Sequence, residues 1–498
     1  MFHSEIMVFL RGKYKIKILR RKVIMSVTCL TGKPSVDRPW MKYYPEVLRN
    51  IKVPDCTVLK YLQINCPGED VAAIEFYGNK ILWSTVFKQV EEIARALRAI
   101  GFKEGDEIPV FLSSVPEFIY ILLAAEKIGA SLLCRDNTLE ENVEAVQKSG
   151  AKVMIAQDYL SQSELEKYLS DTNIEKVVLL DSCYSCNRQD MPDYIQKNLN
   201  ARYPEEKAHG ENTLNWDEFK TLGHNYAGVV EASVDVNRPL FRAYTSGSTG
   251  PSKQVIHSAH TMLAVIAQMN FYAGSDEYRP TWMVTALPPC LVAVVVAMFL
   301  MPLASNKLLI MDPYCAVEDV DLELMRYRPN SWPLIPMFIE TVMRNGRIPD
   351  DYDLSHLTAA GAGSESYNNN QLKRAQQFLE DHNCHIRFTT GYGNSEAGSN
   401  LTLPMTPHPM GNGNVGVPMI LNTISVFEPG TQTELTYNQM GEICVNGPGV
   451  MLGYDNPKAT AKALQVHEDG KTWLHTGDIG YMNEDGVIYV QTRGKSPR

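Results

Sequence analysis

The chain has 498 residues, of which 44% are hydrophobic and 21% are charged. That composition is typical of a globular protein, and the length allows several subdomains around a large buried core. The formal net charge of −10 at pH 7 argues against a general nucleic-acid binder and against a protein that binds anionic membranes.

Cysteine usage and hydropathy restrict the class of protein further. The ten cysteines are scattered without a regular framework, which indicates a reducing compartment, so we predict a cytoplasmic location. Cys183 and Cys186 form a close pair but have no second pair at zinc-ligand spacing, which favours two ordinary thiols over a metal or redox site. The longest apolar run, residues 291–303, is too short to span a bilayer, so it predicts buried core and no transmembrane segment.

The first residues form a basic leader. Seven basic residues and no acidic ones lie between residues 11 and 22, a pattern that fits a targeting signal or a membrane-surface arm. No long apolar region or small-residue cleavage site follows, so we favour an accessory extension, with Met25 as the working start. We predict that residues 1–37 are a leader and entry segment with little order.

From residue 38 the pattern is that of an α/β protein. Apolar residues recur at helical spacing in some segments, and short continuous apolar runs in others read as buried strands. Helices are predicted at 86–100 and 118–128, and strands at 110–112, 153–156 and 177–180. Their alternation indicates a mostly parallel sheet. Residues 182–216 are polar, which predicts an irregular loop at the surface.

Residues 244–253 combine hydroxyl side chains, Gly247, Gly250 and a closing lysine, Lys253. Glycines let a backbone approach an anion, hydroxyls donate without adding charge, and the lysine supplies one positive charge, so the run predicts a phosphate cradle. The alternative is a flexible polar linker. An apolar-periodic segment at 262–269 predicts a helix close behind the loop, which favours the cradle. The glycine spacing excludes a Walker A loop.

A second α/β unit is predicted after this loop, with strands at 282–287 and 307–311. Between them, the small apolar side chains of residues 290–293 predict a buried helix. The small residues at 360–363 allow a flat ligand to lie against the backbone, although such a run is also typical of a tight turn.

Residues 390–396 carry the second strong motif. The Tyr392 ring can stack on a base, the Ser395 hydroxyl can contact a phosphate, and the Glu396 carboxylate can hold Mg²⁺, which needs only one or two carboxylates beside phosphate oxygens. The alternative is a solvent-exposed glutamate in a polar loop. Beyond residue 411, short strands and glycine turns, including those at 416–418, 441–445 and 453–454, predict a small β-rich subdomain with a hairpin turn at Asp485.

These motifs resemble, in the right order, those of the AMP-forming adenylating superfamily: acyl-CoA synthetases, adenylation domains of peptide synthetases, and luciferases. The run at 244–253 matches the superfamily's phosphate loop but departs from it at Ser252 and Gln254. The runs at 392–396, 476–478 and 492–495 match three further motifs. The segment 39–45 and His257 are similar to features of acyl-CoA synthetases.

The resemblance implies a fold and a domain organisation. We expect a large N-terminal domain of the α/β class, with two layered, mostly parallel α/β subdomains and a small β-rich one. The boundaries are predicted at 38–240, 241–410 and 411–493, with a hinge remnant at 494–498. The mobile C-terminal domain that follows in relatives, with its adenylation lysine, is expected to be absent, so a truncated chain is predicted.

The resemblance also implies roles for individual residues. The catalytic candidates are Thr249, Lys253 and Glu396, and Glu396 is also the metal ligand. The residues expected to bind the nucleotide are Thr245, Ser246, Gly247, Ser248, Thr249, Gly250 and Lys253 at the phosphates, Gly361, Ala362, Gly363, Ser364, Tyr392, Gly393, Asn394 and Ser395 around the adenine, and Asp478 and Arg493 at the ribose. The expected cofactors are ATP and Mg²⁺, with coenzyme A as co-substrate.

The implied activity is ligation of a carboxylic acid to a thiol, as in fatty acid metabolism. In relatives the neighbourhood of residues 290–293 helps to form the wall of the acyl pocket, so its small apolar side chains here imply an uncharged, apolar acid. The acid would first become an acyl-adenylate, with release of pyrophosphate, and coenzyme A would then displace AMP. One alternative is an adenylation domain that loads a carrier protein. The other is a remnant of such an enzyme that still binds a nucleotide but does not catalyse a reaction.

Overall fold

The structure is a computed structural model that describes residues 30–245, 252–273, 279–363 and 367–492. Most of the predicted leader and the hinge at 494–498 lie outside the described residues. In chain order the strands are β1 Ala72–Phe76, β2 Asn79–Leu82, β3 Glu107–Phe111, β4 Ser131–Cys134, β5 Val153–Gln157, β6 Lys176–Leu180, β7 Thr213–Asn215, β8 Pro239–Tyr244, β9 Gln254–Ser258, β10 Thr281–Thr285, β11 Leu308–Asp312, β12 Ser331–Leu334, β13 Ala359–Ala362, β14 Thr389–Thr390, β15 Gly393–Asn394, β16 Ser399–Asn400, β17 Thr402–Leu403, β18 Asn414–Pro418, β19 Thr423–Phe427, β20 Gly441–Asn446, β21 Gly453–Tyr454, β22 Leu464–Val466, β23 Thr472–Met482 and β24 Ile488–Thr492.

Helices alternate with the strands of the first two sheets, as the sequence predicts for an α/β protein. The α-helices are α1 Pro34–Asp37, α2 Val58–Asn65, α3 Trp83–Ala99, α4 Pro116–Ile128, α5 Leu139–Ser149, α6 Gln162–Asp171, α7 Asp193–Asn200, α8 Trp216–His224, α9 Ala259–Ala273, α10 Met301–Ala304, α11 Val320–Tyr327, α12 Pro336–Asn345, α13 Asn369–Asp381 and α14 Pro457–Ala463.

Three larger sheets organise these elements. An eight-stranded sheet has the order β21-β9-β8-β4-β3-β5-β6-β7 and is parallel from β8 to β7. A seven-stranded sheet has the order β14-β13-β12-β10-β11-β1-β2 and is parallel except for β2. The third sheet, β17-β18-β24-β23-β20-β19 with β22 beside β23, is antiparallel. The predicted α/β class and the β-rich part are both present.

Local sequence explains the main elements. Every residue of β5 is buried, as expected for a strand covered on both faces. In α3, buried residues recur every three or four positions, from Trp83 through Val86 and Val90 to Leu97, and this face packs on α4 and α8. The predicted helix behind the loop is α9, and the apolar run at 291–303 forms a buried π-helical segment, Val294–Leu300, followed by α10.

Two expectations differ from the structure. Residues 182–216 are not simply irregular, because α7 forms there and buries Ile195 and Leu199, whose four-residue spacing is masked by polar neighbours. Gly453–Tyr454 does not join the antiparallel sheet. It pairs instead with β9 at the edge of the eight-stranded sheet. The division at residues 240 and 410 stays a prediction, since β1 and β2 also pair across it, into the seven-stranded sheet.

Glu117 leads to a prediction about stability and pH. It lies in the first turn of α4, is almost completely buried, and accepts a hydrogen bond from Ser185 Oγ. Burial raises the pKa of this carboxyl to about 7. Between pH 4.5 and 7 the unfolded chain therefore releases a proton that the folded chain retains, so rising pH lowers the free energy of unfolding through this group.

Glu117→Gln replaces the titrating carboxyl with a neutral amide, whose oxygen can still accept the hydrogen bond from Ser185. We expect the variant to match the wild type at pH 4 and to become more stable than it by about 3 kcal/mol at pH 8, measured by urea unfolding. Glu211→Gln, at an exposed position, is the control. A stability difference that is the same at both pH values would contradict the buried, protonated carboxyl.

Candidate active site

The predicted phosphate loop connects two antiparallel strands, β8 and β9. Thr245 closes the neck of this connection. Its backbone N–H donates to Lys253 O at 2.9 Å, and its Oγ1 accepts from Lys253 N–H at 3.2 Å. Ser252 Oγ donates to Thr245 O at 2.6 Å. Both ends of the connection are thus held by hydrogen bonds, which fix the backbone of Lys253 beside Thr245.

The side chain of Lys253 lies against an aromatic ring that sequence analysis did not assign to the site. Lys253 Nζ is 5.0 Å from the ring centroid of Tyr454, within the range of a cation–π contact. Tyr454 reaches this place because β21 pairs with β9, so that Tyr454 is opposite Val255. The only local signal in the sequence is an aromatic residue that follows a glycine.

Tyr454 also contacts the predicted metal ligand. Its hydroxyl donates to Glu396 Oε1 at 2.8 Å. Burial, together with the Glu396 carboxylate, raises the pKa of the Tyr454 hydroxyl, which therefore stays a donor at neutral pH. The structure thus brings Lys253 and Glu396, two of the three catalytic candidates, to one tyrosine.

Glu396 is held by its backbone in a 3₁₀ turn, Ser395–Ala397. Asn394 caps this turn, because its Oδ1 accepts from Ala397 N–H at 2.9 Å. Within the described ranges no group donates to Glu396 Oε2, although Oε1 is engaged by Tyr454. A half-buried carboxylate with one oxygen not used by the protein fits Mg²⁺, which prefers carboxylate and phosphate oxygens.

A buried histidine connects this turn to β9. His257 Nε2 is 2.7 Å from Ser395 O, and Nδ1 is 3.1 Å from Thr261 Oγ1. Complete burial lowers the pKa of His257 to about 4, so the ring is neutral at neutral pH. The carbonyl can only accept, which assigns the ring proton to Nε2.

Strand pairing brings the predicted adenine-binding residues together. In the parallel pair of β13 and β14, Gly361 is opposite Thr389 and Ala362 is opposite Thr390, and β14 leads directly to Tyr392. A Cβ on Gly361 would lie 2.6 Å from Thr389 Oγ1 and 3.1 Å from Thr389 O. The close approach of these two strands therefore requires a glycine.

The residues expected at the adenine and at the ribose are hydrogen-bonded to each other. Tyr392 Oη donates to Asp478 Oδ2 at 2.6 Å. Tyr392 is 2% exposed and Asp478 is 7% exposed, so little of either side chain reaches the surface. At the next residue, Gly393, a Cβ would lie 1.8 Å from Ser399 O across the β15–β16 pair.

Some predicted site residues cannot be placed. Those that lie outside the described residues are Ser246, Gly247, Ser248, Thr249, Gly250, Ser364 and Arg493. Their roles stay predictions. The described residues nevertheless form two groups, one of Thr245, Lys253, Glu396 and Tyr454, and one of Tyr392 and Asp478 beside the end of β13.

Comparison with known proteins gives a consistent result. The profile of the family described as AMP-binding enzyme matches residues 63–455. A 4-coumarate–CoA ligase of Vanilla planifolia is 26% identical over 428 residues, which are 82% of this chain and 70% of the ligase. The 4-coumarate–CoA ligase 2 of Nicotiana tabacum is 25% identical over 476 residues, which are 90% of this chain and 79% of the ligase.

Solved structures share the fold. Apo MatB from Rhodopseudomonas palustris has a TM-score of 0.70 at 18% identity, covering 88% of this chain and 79% of MatB. The long-chain-fatty-acid-CoA ligase FadD1 from Archaeoglobus fulgidus has a TM-score of 0.72 at 16% identity, covering 89% and 85%. These similarities confirm the predicted fold class.

The fold and the family profile together define an AMP-binding enzyme, of the class of acid–thiol ligases. The chain belongs to the AMP-forming adenylating superfamily, as its motifs predicted. In the part of the chain that the structure describes, no helix has both the length and the apolar character needed to cross a membrane.

Two glycines allow a matched test of the site's backbone. Gly393→Ala would place a methyl group against Ser399 O, so we expect the free energy of unfolding to fall by about 3 kcal/mol. Gly363→Ala meets no atom of the described residues within 4 Å and should leave stability unchanged. Thermal and urea unfolding of both variants measure this difference. Equal stability of the two variants would contradict the close β15–β16 contact.

Proposed function

We propose that this chain activates an apolar carboxylic acid with ATP and transfers the acyl group to coenzyme A. A carboxylate oxygen of the acid bonds to the α-phosphorus as the bond to pyrophosphate breaks, which gives an acyl-adenylate. The coenzyme A sulfur then bonds to the acyl carbonyl carbon, its proton is lost to solvent, and AMP leaves with the bonding electron pair. The observation that carries the proposal is the convergence of Lys253 and Glu396 on Tyr454, at the neck of the phosphate loop.

The first step needs positioning and charge neutralisation more than a side-chain nucleophile. Lys253 places a compact positive charge beside the loop that would hold the phosphates. Thr245 keeps that loop closed at its neck. Glu396 would hold Mg²⁺, which when bound supplies further positive charge against the phosphate oxygens.

The nucleoside is assigned to the second group of residues. Adenine would lie against the backbone at the end of β13, beside Gly361 and at Gly363, where no described atom fills the place of a side chain, with Tyr392 beside it. The Asp478 carboxylate would accept hydrogen bonds from two adjacent ribose hydroxyls, and Arg493 would contact the same sugar. The hydrogen bond from Tyr392 already orients Asp478 for this role.

An apolar acid fits the small side chains near residues 290–293, where Val292 is buried and the π-helical segment begins two residues later. Such π-helical turns are frequent at functional sites. The similarity to 4-coumarate–CoA ligases favours an aromatic acid, and favours coenzyme A over a carrier protein as acceptor. A cytoplasmic location agrees with the free thiols of the described cysteines. A role in fatty acid metabolism would follow if the apolar acid is a fatty acid.

The test is acid-dependent exchange of pyrophosphate into ATP with Mg²⁺, using short, medium and long fatty acids and 4-coumarate, followed by a thioester assay with coenzyme A. We expect exchange with one of these apolar acids and a coenzyme A thioester. Exchange without a coenzyme A thioester, but with transfer to a carrier protein, would support the adenylation-domain alternative. Tight Mg·ATP binding without exchange would indicate a non-catalytic remnant, and the absence of both would overturn the nucleotide site.

Single substitutions connect the activity to the residues. Glu396→Gln keeps the size of the side chain but removes its charge, and we expect exchange to fall by about 100-fold, because charge stabilisation at such sites is of that order. Glu428→Gln, at an exposed turn, is the matched control. Raising the Mg²⁺ concentration should partly restore the Glu396 variant. Unchanged exchange in that variant would remove Glu396 from the site.

A further inference from the structure

A separate cluster of ligand-type side chains lies in the antiparallel sheet. Glu442 and Cys444 are two residues apart on β20 and so share a face. Across the sheet, Cys444 is opposite His475 of β23, with a register shift between Glu442 and Cys444. This register brings a carboxylate, a thiol and an imidazole to one place. The three residues are distant from Glu396 in sequence, and none of them has a role in the proposed nucleotide site.

The three ligand atoms are close enough to share one ion. His475 Nδ1 is 3.0 Å from Glu442 Oε2 and 3.5 Å from Cys444 Sγ, and all three atoms lie within 4.8 Å of one another. Zinc binds thiolate sulfur at about 2.3 Å and imidazole nitrogen or carboxylate oxygen at about 2.0–2.2 Å, so small rotations of these side chains suffice.

The surroundings hold these side chains in place. Glu442 Oε1 accepts from Gly477 N–H at 2.9 Å, which leaves Oε2 directed at His475. His467 Nε2 is 2.9 Å from His475 Nε2. The His467 ring is itself fixed, stacked on Trp473 and edge-on to Phe427.

His467 supplies the partner that a metal-bound imidazole needs. When His475 Nδ1 binds a metal, its Nε2 carries the proton and donates to His467 Nε2. A ligating histidine almost always makes such a second hydrogen bond, which sets its tautomer and orientation. In the described part of the chain, His467 Nδ1 is buried without a hydrogen-bond partner, so His467 makes its hydrogen bond through the nitrogen that faces His475.

We propose that Glu442, Cys444 and His475 bind a transition-metal cation of borderline softness, with Zn²⁺ as the best match, and that His467 is a positioning residue. The mixed oxygen, sulfur and nitrogen donors favour Zn²⁺ over Mg²⁺, which prefers oxygen ligands. Three protein ligands leave a fourth position for water. The cation binds the thiolate of Cys444, and the thiol proton passes to solvent.

The test is a titration of the full chain with Co²⁺, followed by visible and near-ultraviolet absorption. We expect one Co²⁺ per chain, a thiolate-to-cobalt charge-transfer band, and the strong d–d bands of a tetrahedral site. Zn²⁺ should displace the cobalt and Mg²⁺ should not. Cys444→Ser should abolish the charge-transfer band, and His467→Gln should weaken binding by about 10–100-fold.

The double variant Cys183→Ser/Cys186→Ser is the matched control, because it removes two neighbouring thiols that lie outside the cluster and should keep the band. Near-ultraviolet circular dichroism checks the fold of each variant. If Cys444→Ser does not fold, His475→Gln is tested in its place, and we expect it to bind Co²⁺ more weakly. Three results would overturn the proposal: the band never forms, it persists in Cys444→Ser, or it is lost in the Cys183/Cys186 double variant. The cluster would then be only a hydrogen-bonded network.

Discussion

A fully buried imidazole, His257, holds together two segments that are 138 residues apart in the chain. Its Nε2–H donates to the backbone carbonyl of Ser395, the residue before the predicted metal ligand. Burial keeps the ring neutral, which lets one nitrogen donate while the other accepts. Without this donor the Ser395 carbonyl would lose its partner in the interior, at a cost of about 1–3 kcal/mol. The strand that follows the phosphate loop is therefore tied to Glu396 by a bond that is costly to break.

A third segment completes this arrangement through its backbone. Met451 N–H donates to Glu396 O, Leu452 N–H to Ile256 O, and Asp455 N–H to Gln254 O. This stretch crosses from the Glu396 turn to β9 and carries Tyr454 between them. Because the anchors are backbone groups and one buried ring, the positions of Lys253, Tyr454 and Glu396 follow from the fold rather than from flexible side chains on a surface.

Local patterns predicted what depends on local sequence. The continuous apolar run of β5, the periodicity of α3 and the hairpin of β23 and β24 all follow from neighbouring residues. Tyr454 was not predicted as a site residue, because its place depends on the pairing of β21 with β9, nearly two hundred positions away, and a short glycine–tyrosine strand carries no signal of that partner.

The same limit applies to pairs that form across a sheet. Cys444 and His475 meet only because β20 and β23 pair in one register, with a shift beside Glu442. A one-residue slip would send these side chains to opposite faces. The order of the adenylating motifs was visible through their resemblance to a superfamily, whereas contacts set by register became visible only in three dimensions.

The two groups of site residues differ in how far they are already organised. At the proposed nucleoside end, Tyr392 and Asp478 are buried and hydrogen-bonded to each other, so the carboxylate already has a fixed orientation. At the proposed phosphate end, Glu396 has one oxygen bonded to Tyr454, and no donor reaches the other from the described residues. Preorganised groups cost little to order on binding, so at the proposed site the affinity for a nucleotide should come mainly from Tyr392 and Asp478. Charge at Lys253 and Glu396 would instead act where negative charge shifts in the proposed reaction, which is where it would contribute to rate.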